Sequence, residues 1–383
     1  MSAEPRGAPA GAPSAGTPTP PPTTPPLPPV PLARIGIVMM SAVGDAVHVM
    51  PVVHALKAHA PAARISWVLQ PGPATLVRGH PLVDEVIPFD RGRGWRAFAD
   101  VRRALAARPF DLVLALQVYF KAGVVTGFAR APVKLGFDRA RARDANWLFT
   151  THRIAPHPGQ HVQDQYFEFL DALGVPHGPP QWTLGPWDAA ERAAQRAFFA
   201  RFDRPVAAIV VGTSKPEKDW MPERWGAVCR LLWEEHGLQP VLVGGTSPRE
   251  RAAAAEILRL APMAHSALGS GLRGLAGILD GAAVALSPDT GPLHLAVALR
   301  TPVIGLMGYT NPKRVGPYDF ARDLLVDAYG DPGEDYPLDM AYRPGRMARI
   351  TVAQVAAMLA RWRERYAPAR LAAVAAKASG PKG

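Results

Sequence analysis

The sequence predicts an α/β protein made of two doubly wound halves, each a parallel sheet with helices on both faces. Short continuous apolar runs, such as residues 35–40 and 206–211, alternate with segments of helical periodicity. The alternation restarts after residues 174–188, a stretch rich in Pro, Gly and Trp that predicts a linker. A length of 383 residues exceeds what one hydrophobic core usually organises, so two domains with tails are expected.

The two ends of the chain differ from its body in composition. Residues 1–32 carry 12 of the 42 prolines and lack the apolar residues that a core requires, which predicts a disordered Pro-rich arm. A Pro-rich recognition segment is the alternative interpretation. The predicted ranges are 1–32 for the arm, 33–182 for the first half, 183–348 for the second half, 349–366 for a terminal helix and 367–383 for a flexible tail.

The first half opens with a buried strand, a short turn containing Gly44 and a helix, which together begin a βαβ unit. Apolar runs predict the later strands, and apolar residues at helical spacing predict the later helices. The predicted elements are strand 33–40, helix 46–61, strands 64–70 and 84–90, helix 95–109, strand 110–117 and helix 161–174, with residues 134–137 and an Arg-rich loop between the last two.

The second half repeats the same pattern. The lone Cys229 falls in the middle of a predicted helix, where it is expected to pack in the core, and Thr351 is placed to cap the terminal helix. The predicted elements are strand 206–212, helix 222–237, strand 239–245, helices 247–261 and 272–282, strand 283–287, helix 289–300, strand 302–308 and helix 350–366.

Charge and cysteine content narrow the class of protein. The 43 Lys and Arg exceed the 32 Asp and Glu by 11, which favours an anionic partner such as nucleic acid, an acidic membrane surface or a negatively charged substrate. One cysteine forms no internal disulfide and fits a reducing compartment. No apolar run reaches the roughly 18 residues of a membrane span. The basic residues of the first half form two clusters, Arg91, Arg93, Arg96, Arg102 and Arg103, and Arg130, Lys134, Arg139, Arg141 and Arg143.

The loop of residues 41–45 is the first candidate site, because it joins a buried strand to a helix start. Asp45 has two interpretations. It is either a helix-capping residue or a general base that takes a proton from a bound hydroxyl. His48, on the same helix face, is interpreted as structural.

Two loops of the second half are suited to phosphate. In residues 287–294, a helix begins at Thr290 and Gly291 directly after a strand, with Asp289 and His294 on either side of that turn. Residues 212–220 place two hydroxyls and two lysines beyond another strand, which fits a diphosphate or, alternatively, solvated loop charges.

Several other chemistries lack their usual motifs. The sequence has no G-x-S-x-G, no H-E-x-x-H, no cysteine pair and no G-x-x-x-x-G-K-[ST]. Neither a metal site nor a cofactor is therefore predicted. The phosphate-binding features are distributed over several short loops instead.

Four segments, in this order and spacing, resemble the lipopolysaccharide heptosyltransferases: residues 34–71, 114–123, 212–225 and 287–318. The resemblance covers about residues 33–366 and is most specific in the D-T-G-P-x-H segment that begins at Asp289. It implies the GT-B fold, with two Rossmann-like halves facing across a cleft and a terminal helix that packs back on the first half. It also implies inverting transfer of heptose from ADP-heptose to the lipopolysaccharide inner core, without a required metal.

The resemblance also implies roles for individual residues. Asp45 matches the general base on the acceptor hydroxyl, with the first half binding the acceptor and the second half the nucleotide-sugar. The residues implied on the donor side are Thr213, Ser214, Lys218, Asp289, Thr290, Gly291 and His294, and those on the acceptor side are Gly44, Gln117, Lys121, Arg143 and His161.

Two loops depart from the family pattern. The chain has Ser-Ala-Val-Gly-Asp at residues 41–45 where Ser-Ser-Leu-Gly-Asp is common, and Gly-Tyr-Thr-Asn-Pro at residues 308–312 where Gly-Pro-Thr-Asp-Pro is common. The sugar and the accepting hydroxyl are therefore left open, and another nucleotide-sugar or acceptor is the alternative. A non-enzymatic polyanion-binding protein is a second alternative, and a sugar-nucleotide epimerase a third.

The expected partners follow from the favoured function. They are ADP-heptose, a lipid-linked acidic saccharide acceptor and, by peripheral contact, the inner membrane surface, without nucleic acid. The expected location is the cytoplasmic face of the inner membrane, where the arginine clusters meet anionic groups.

Overall fold

The structure, a computed structural model, describes residues 27–379. The predicted arm thus lies mostly outside the described residues. Its last part, residues 27–32, has no regular secondary structure, and Leu27, Val30 and Leu32 are partly buried against a hydrophobic cluster that includes residues of both halves.

Each half contains a six-stranded parallel sheet with the strand order of a Rossmann fold. The first sheet has the order β3-β2-β1-β4-β5-β6 and the second β12-β11-β10-β7-β8-β9. The strands are β1 (Arg34–Val38), β2 (Arg64–Leu69), β3 (Glu85–Pro88), β4 (Leu112–Ala115), β5 (Val133–Gly136), β6 (His152–Arg153), β7 (Val206–Val210), β8 (Gln239–Val243), β9 (His265–Ser266), β10 (Val284–Pro288), β11 (Val303–Met307) and β12 (Leu325–Asp327). The α/β class predicted from the sequence is confirmed.

Helices connect the strands and cover the sheets. They are α1 (Val43–His59), α2 (Pro71–Val77), α3 (Trp95–Ala106), α4 (Phe120–Phe128), α5 (Val162–Leu173), α6 (Ala189–Phe199), α7 (Pro222–Glu234), α8 (Pro248–Leu260), α9 (Gly271–Gly281), α10 (Gly291–Ala298), α11 (Pro312–Val315), α12 (Val352–Arg365) and α13 (Ala367–Ser379). The predicted domain boundary at residues 182–183 falls between α5 and α6, in the segment predicted to be a linker.

Local signals explain several helix ends. Ser247 and Glu250 form a capping box at the start of α8, and Thr351 and Gln354 form one at the start of α12. The predicted cap at Thr351 is therefore confirmed. Helix α5 ends at Gly174, which has a φ of 65°, a left-handed conformation that glycine adopts at low cost.

The terminal helix packs on a different half from the one expected. Its buried residues Val355, Leu359 and Trp362 belong to the core of the second half, and the Trp362 indole N–H donates to the Ala283 carbonyl. The prediction that this helix packs back on the first half is therefore wrong. The amphipathic pattern of the sequence predicts that one face of the helix is buried, but it does not indicate which of the two sheets the helix covers.

The predicted flexible tail is also helical over most of its length. Helix α13 extends to Ser379, and the buried Arg370 guanidinium donates to the carbonyls of Leu279, Asp280 and Ala282. These bonds attach residues that were expected to fray to the second half. Residues 380–383 lie outside the described part of the chain.

The two halves are in direct contact through helices α1 and α10. A Cβ added at Gly44 would lie 2.7 Å from the His294 ring, and one added at Gly291 would lie 2.7 Å from the Val43 Cβ. Both glycines therefore permit a close approach of the two helix N-termini. One hydrophobic cluster continues through both halves at this contact.

The helices between residues 27 and 379 include none with the length and apolarity needed to cross a membrane. Within the same range, no group of three or more His, Cys, Asp or Glu side chains is arranged to hold a metal ion. The basic clusters differ in how far they are neutralised. Arg141 forms partly buried ion pairs with Asp138 and Glu168, whereas Arg91 and Arg96 are exposed.

Candidate active site

The predicted site residues follow the strands next to the topological switch point of each sheet, where the order of successive strands reverses. In the first sheet this point lies between β1 and β4, and in the second between β7 and β10. Ligands of open α/β sheets bind at this position, beyond the carboxyl ends of the strands. Asp45 follows β1, and Asp289 follows β10. Each half thus contributes one carboxylate from its own switch point.

The loop before Asp45 is fixed by Gln117, which follows β4. The Gln117 side-chain oxygen accepts the Met40 N–H at 3.2 Å, and its amide group donates to the Ser41 carbonyl at 3.0 Å. Gln117, predicted as an acceptor-side residue, therefore positions the loop that leads to Asp45.

Asp45 is the third residue of α1, and its two oxygens have different partners. Oδ2 accepts the Ala42 N–H at 2.7 Å, which satisfies a free donor at the start of the helix. Oδ1 faces the Tyr166 hydroxyl at 3.4 Å. Ala42, and not Asp45, is the N-cap residue. One oxygen thus serves the helix, while the other is available to a hydroxyl group.

The surroundings of Asp45 favour its protonated form more than water does. Burial raises the pKa of Asp45, and the charge of Asp289 acts in the same direction. The Ala42 N–H, the Arg314 guanidinium and the Tyr166 hydroxyl lower it. Such a carboxylate is a stronger base than a solvated one.

The second half opposes this carboxylate with a lysine and an aspartate. Lys218 Nζ lies 2.6 Å from Asp289 Oδ2, and both side chains are largely buried. His294 Nε2 is 3.9 Å from the other oxygen, Asp289 Oδ1. The structure thus brings together three of the residues predicted for the donor.

The remaining predicted donor residues lie around this group. Thr290 is the N-cap residue of α10 but makes no side-chain cap, so its side chain leaves the first-turn N–H groups to other partners. Ser214 is exposed, whereas the Thr213 hydroxyl faces the Lys215 carbonyl and the Asp219 carboxylate at 2.6 and 2.8 Å. Contact of Thr213 and Ser214 with a donor stays a prediction.

Three buried histidines lie where the halves meet. His48 Nε2 is 3.2 Å from His294 Nδ1, and His161 Nε2 donates to the Gly316 carbonyl at 2.9 Å. Burial lowers the pKa of His48 to about 3 and that of His161 to about 4. Because His161 Nδ1 accepts the Gln163 N–H, both ring nitrogens of His161 already have protein partners. His161 therefore joins the halves, and its contact with an acceptor stays a prediction.

The other predicted acceptor residues are more peripheral. Lys121 and Arg143 are exposed, and Arg143 Nη2 lies 3.1 Å from the Met340 sulfur of the second half. Gly44 lies against His294, so the structure gives it a packing role.

Three residues near the site carry no signal in the sequence. Tyr166 and Gln163 are in α5, and Arg314 is in the short helix α11 of the second half. Tyr166 and Gln163 reach the site because α5 packs on α1, and Arg314 acts on Asp45 through its charge from the second half. No motif or spacing in the chain links them to Asp45.

The fold and site define a GT-B-type glycosyltransferase, with two Rossmann-like halves, a carboxylate in one and a phosphate-type loop in the other. A family model described as glycosyltransferase family 9 (heptosyltransferase) matches residues 98–328. The chain belongs to this family and is therefore a transferase enzyme.

Individual relatives agree with this assignment. The lipopolysaccharide core heptosyltransferase OpsX of Haemophilus influenzae is 30% identical over 295 residues, which are 76% of this chain and 84% of that protein. Lipopolysaccharide heptosyltransferase 1 of Escherichia coli is 30% identical over 302 residues, 74% of this chain and 91% of that protein. The solved structure of Escherichia coli heptosyltransferase WaaC with ADP has a TM-score of 0.68 at 26% identity, with coverage of 88% of this chain and 99% of that one. The structure of WaaC with ADP-2-deoxy-2-fluoro heptose has a TM-score of 0.67 at 25% identity, with coverage of 86% and 99%.

Proposed function

We propose that this enzyme transfers a heptose from ADP-heptose to the inner core of lipopolysaccharide, with inversion at the sugar and Asp45 as the general base. The observation that carries the proposal is the position of Asp45, at the switch point of the first sheet and within electrostatic reach of Asp289 at the switch point of the second. Family membership and the ADP-heptose analogue bound by WaaC support the choice of donor.

The acceptor hydroxyl binds beside Asp45 Oδ1. As its oxygen attacks the anomeric carbon of the heptose, the bond from that carbon to the diphosphate oxygen breaks, and the hydroxyl proton passes to Asp45. The Tyr166 hydroxyl, whose pKa burial raises well above its ordinary value, stays protonated and donates to Oδ1. The hydroxyl proton therefore moves to Asp45 and not to Tyr166.

The negative charge of the leaving ADP is stabilised by the second half. Lys218 Nζ has three hydrogens, so it can keep its bond to Asp289 and also donate to a phosphate. The first turn of α10 supplies backbone N–H groups, which favour negative charge at a helix N-terminus. Both groups are in place before the reaction, because the Lys218–Asp289 pair holds the lysine against the start of α10.

Asp45→Asn separates the two roles of this residue. The asparagine oxygen can still accept the Ala42 N–H, so the helix cap is kept while the base is lost. We expect turnover of ADP-heptose with a deacylated inner-core acceptor, measured as ADP release, to fall by roughly 10²–10⁴-fold. The affinity for ADP, measured by calorimetry, should not change.

Two outcomes would contradict this assignment. Full activity in Asp45→Asn would leave Asp45 as a helix cap alone. A wild-type enzyme that releases no ADP from ADP-heptose in the presence of the acceptor would contradict the proposed donor or acceptor. The other nucleotide-sugars, screened by thermal shift, would then identify the donor.

We also infer that the first half contacts an anionic membrane surface, where the lipid-linked acceptor resides. Trp95 is 75% exposed at the start of α3, and Phe120 is 48% exposed at the start of α4. Both lie at the same sheet edge as Asp45, and Arg91 and Arg96 flank Trp95. Over residues 27–379, neither of these arginines has a carboxylate within 4.0 Å, so their charges are available to lipid phosphates.

Vesicle sedimentation tests this surface. The enzyme should bind vesicles containing phosphatidylglycerol, bind less as salt increases, and bind pure phosphatidylcholine weakly. Arg91→Glu combined with Arg96→Glu should weaken binding by roughly tenfold or more, at ~1 kcal/mol for each charge. The matched control is Arg196→Glu with Arg251→Glu, two exposed arginines of the second half. Equal loss in both double variants would show an effect of net charge alone.

A further inference from the structure

His48 and His294 connect the two halves through their ring nitrogens. His48 is on α1 of the first half and His294 on α10 of the second, with 3.2 Å between His48 Nε2 and His294 Nδ1. Both side chains are more than nine-tenths buried. One of these two nitrogens must donate and the other must accept. The neighbouring Gln163 determines which.

Gln163 has one possible orientation at His48. Its side-chain nitrogen is 3.0 Å from the His48 carbonyl oxygen, and its side-chain oxygen is 3.0 Å from His48 Nδ1. The carbonyl only accepts, so the amide NH₂ must face it. The amide oxygen therefore faces Nδ1. Because an amide oxygen cannot donate, His48 Nδ1 carries the proton.

The proton position on His48 determines that on His294. Burial lowers the pKa of His48 to about 3, so the ring is neutral near pH 7 and its Nε2 is without a proton. An unprotonated Nε2 accepts, so His294 Nδ1 must donate to it. Burial, together with His48 and His161, lowers the pKa of His294 well below its ordinary value, so this ring is neutral as well. Its Nε2 is therefore an acceptor.

Two acceptors then face each other in the second half. His294 Nε2 lies 3.9 Å from Asp289 Oδ1, and no proton is available between them. Lys218 donates to the other oxygen of Asp289, and among the described residues no donor is bonded to Oδ1. Neither atom is sealed from solvent, so both acceptors are open to a ligand that brings hydroxyl hydrogens.

We propose that Gln163, acting through His48, holds the ring proton of His294 on Nδ1, so that His294 Nε2 and Asp289 Oδ1 together accept hydrogen bonds from hydroxyl groups of the transferred sugar. Gln163 is a positioning residue in this scheme, and it acts on the donor from the opposite half. The proposal rests on the proposed function for the identity of the sugar. The tautomer of His294 is independent of that function.

The tautomer is measured first, in the wild-type enzyme without ligand. Two-bond ¹H–¹⁵N correlations of a ¹⁵N-histidine-labelled sample, assigned with His294→Gln, distinguish a proton on Nδ1 from one on Nε2. We expect His294 to carry its proton on Nδ1. A proton on Nε2 would overturn the proposal without bearing on the transferase activity.

The role of Gln163 is tested with Gln163→Met, which keeps the length of the side chain and removes the amide. We expect the proton of His294 to redistribute to Nε2, and the affinity for ADP-heptose to fall roughly tenfold, which is ~1.4 kcal/mol. The affinity for ADP, which has no heptose, should not change. Gln165→Met is the matched control, because Gln165 is on the same helix and donates to the Gln160 carbonyl.

The remaining outcomes separate the two proposals. If Gln163→Met keeps both the wild-type tautomer and the wild-type preference for ADP-heptose over ADP, Gln163 has no such role. A wild-type enzyme that binds ADP-heptose no better than ADP would contradict sugar recognition by Asp289 and His294. If Gln163→Met does not fold, the wild-type tautomer still decides the first step.

Discussion

At the scale of single residues, the two oxygens of Asp45 have different partners, and the surrounding groups determine the pKa of this carboxylate. Oδ2 is held by the Ala42 N–H, so the carboxylate cannot turn away from the cleft without losing a helix cap. Burial and Asp289 favour the protonated form, while Arg314 and Tyr166 favour the ionised one. The residues that raise and lower the pKa of Asp45 come from both halves, and their contributions can be tested by substitution.

Replacement of Arg314 should change the pH dependence of the reaction. The ionised form of Asp45 is the active base, so kcat/KM decreases as the pH falls through the pKa of Asp45. Because burial raises that pKa, the acid limb should lie above the ordinary carboxyl range. Arg314→Ala removes a charge that lowers the pKa, so the acid limb should move to higher pH. The measurement is kcat/KM against pH.

Tyr166→Phe should move the acid limb in the same direction, because the hydroxyl also lowers the pKa of Asp45.

Arg322→Ala is the matched control for Arg314→Ala, because it also removes an arginine charge. Arg322 lies over the Tyr318 ring and acts on His161, but not on Asp45. An acid limb that moves equally in the Arg314 and Arg322 variants would exclude a specific interaction with the base.

At the scale of elements, the contact between α1 and α10 builds the site. Each helix begins directly after the strand at a switch point, so their N-termini face each other when the halves pack. The approach is possible because Gly44 and Gly291 have no side chains at the contact. The same contact places His48 beside His294.

Gly44→Ala should disturb this contact. The new Cβ would lie 2.7 Å from His294 Cδ2, closer than packed atoms allow, so the ring or the helix must move. Overpacking of this kind costs about 1–3 kcal/mol and should lower the affinity for ADP-heptose. The measurements are urea unfolding and calorimetric titration. Gly72→Ala in α2 is the control, because its Cβ would meet no atom within 4 Å. Equal effects in both variants would contradict the steric explanation.

At the scale of the whole molecule, buried neutral histidines make the contact between the halves sensitive to acid. His48, His161 and His294 are all lowered in pKa chiefly by burial. Their ordinary pKa of 6.5 is restored in the unfolded chain. Between about pH 6.5 and about pH 4 the unfolded chain therefore binds more protons than the folded one, and stability decreases as the pH falls.

We expect each of the three histidines to lower the free energy of unfolding by about 1.4 kcal/mol for each pH unit below 6.5. Urea unfolding at pH 7, 6 and 5 measures this slope. His161→Gln should reduce this slope by about 1.4 kcal/mol per pH unit, the contribution of one proton. Replacement of the exposed His59 by Gln serves as the control. An unchanged slope in His161→Gln would show that other groups control the acid response.

The sequence predicts the parts of this molecule that depend on local pattern. Buried strands followed by short turns and helices indicate both sheets, and the loops after those strands contain Asp45, Lys218 and Asp289. Features that depend on which surfaces meet are not encoded in any window of the sequence. The family resemblance implies that the terminal helix packs on the first half, and the amphipathic pattern of the helix does not indicate which sheet it covers. Tyr166, Gln163 and Arg314 reach the site only through tertiary packing.

The two ends of the described chain belong to different halves. Fluorescent labels at these ends would therefore be attached to different halves. The Ala33 carbonyl accepts the Arg64 N–H of the first half, directly after residues 27–32, whereas α13 is held by the second half. Cys229 is buried, and burial raises the pKa of its thiol to about 12, so it reacts poorly with maleimides. Cysteines introduced at the exposed Pro29 and Ala369 would therefore be labelled selectively. Energy transfer between two dyes at these positions would report the movement of one half against the other during a single catalytic cycle.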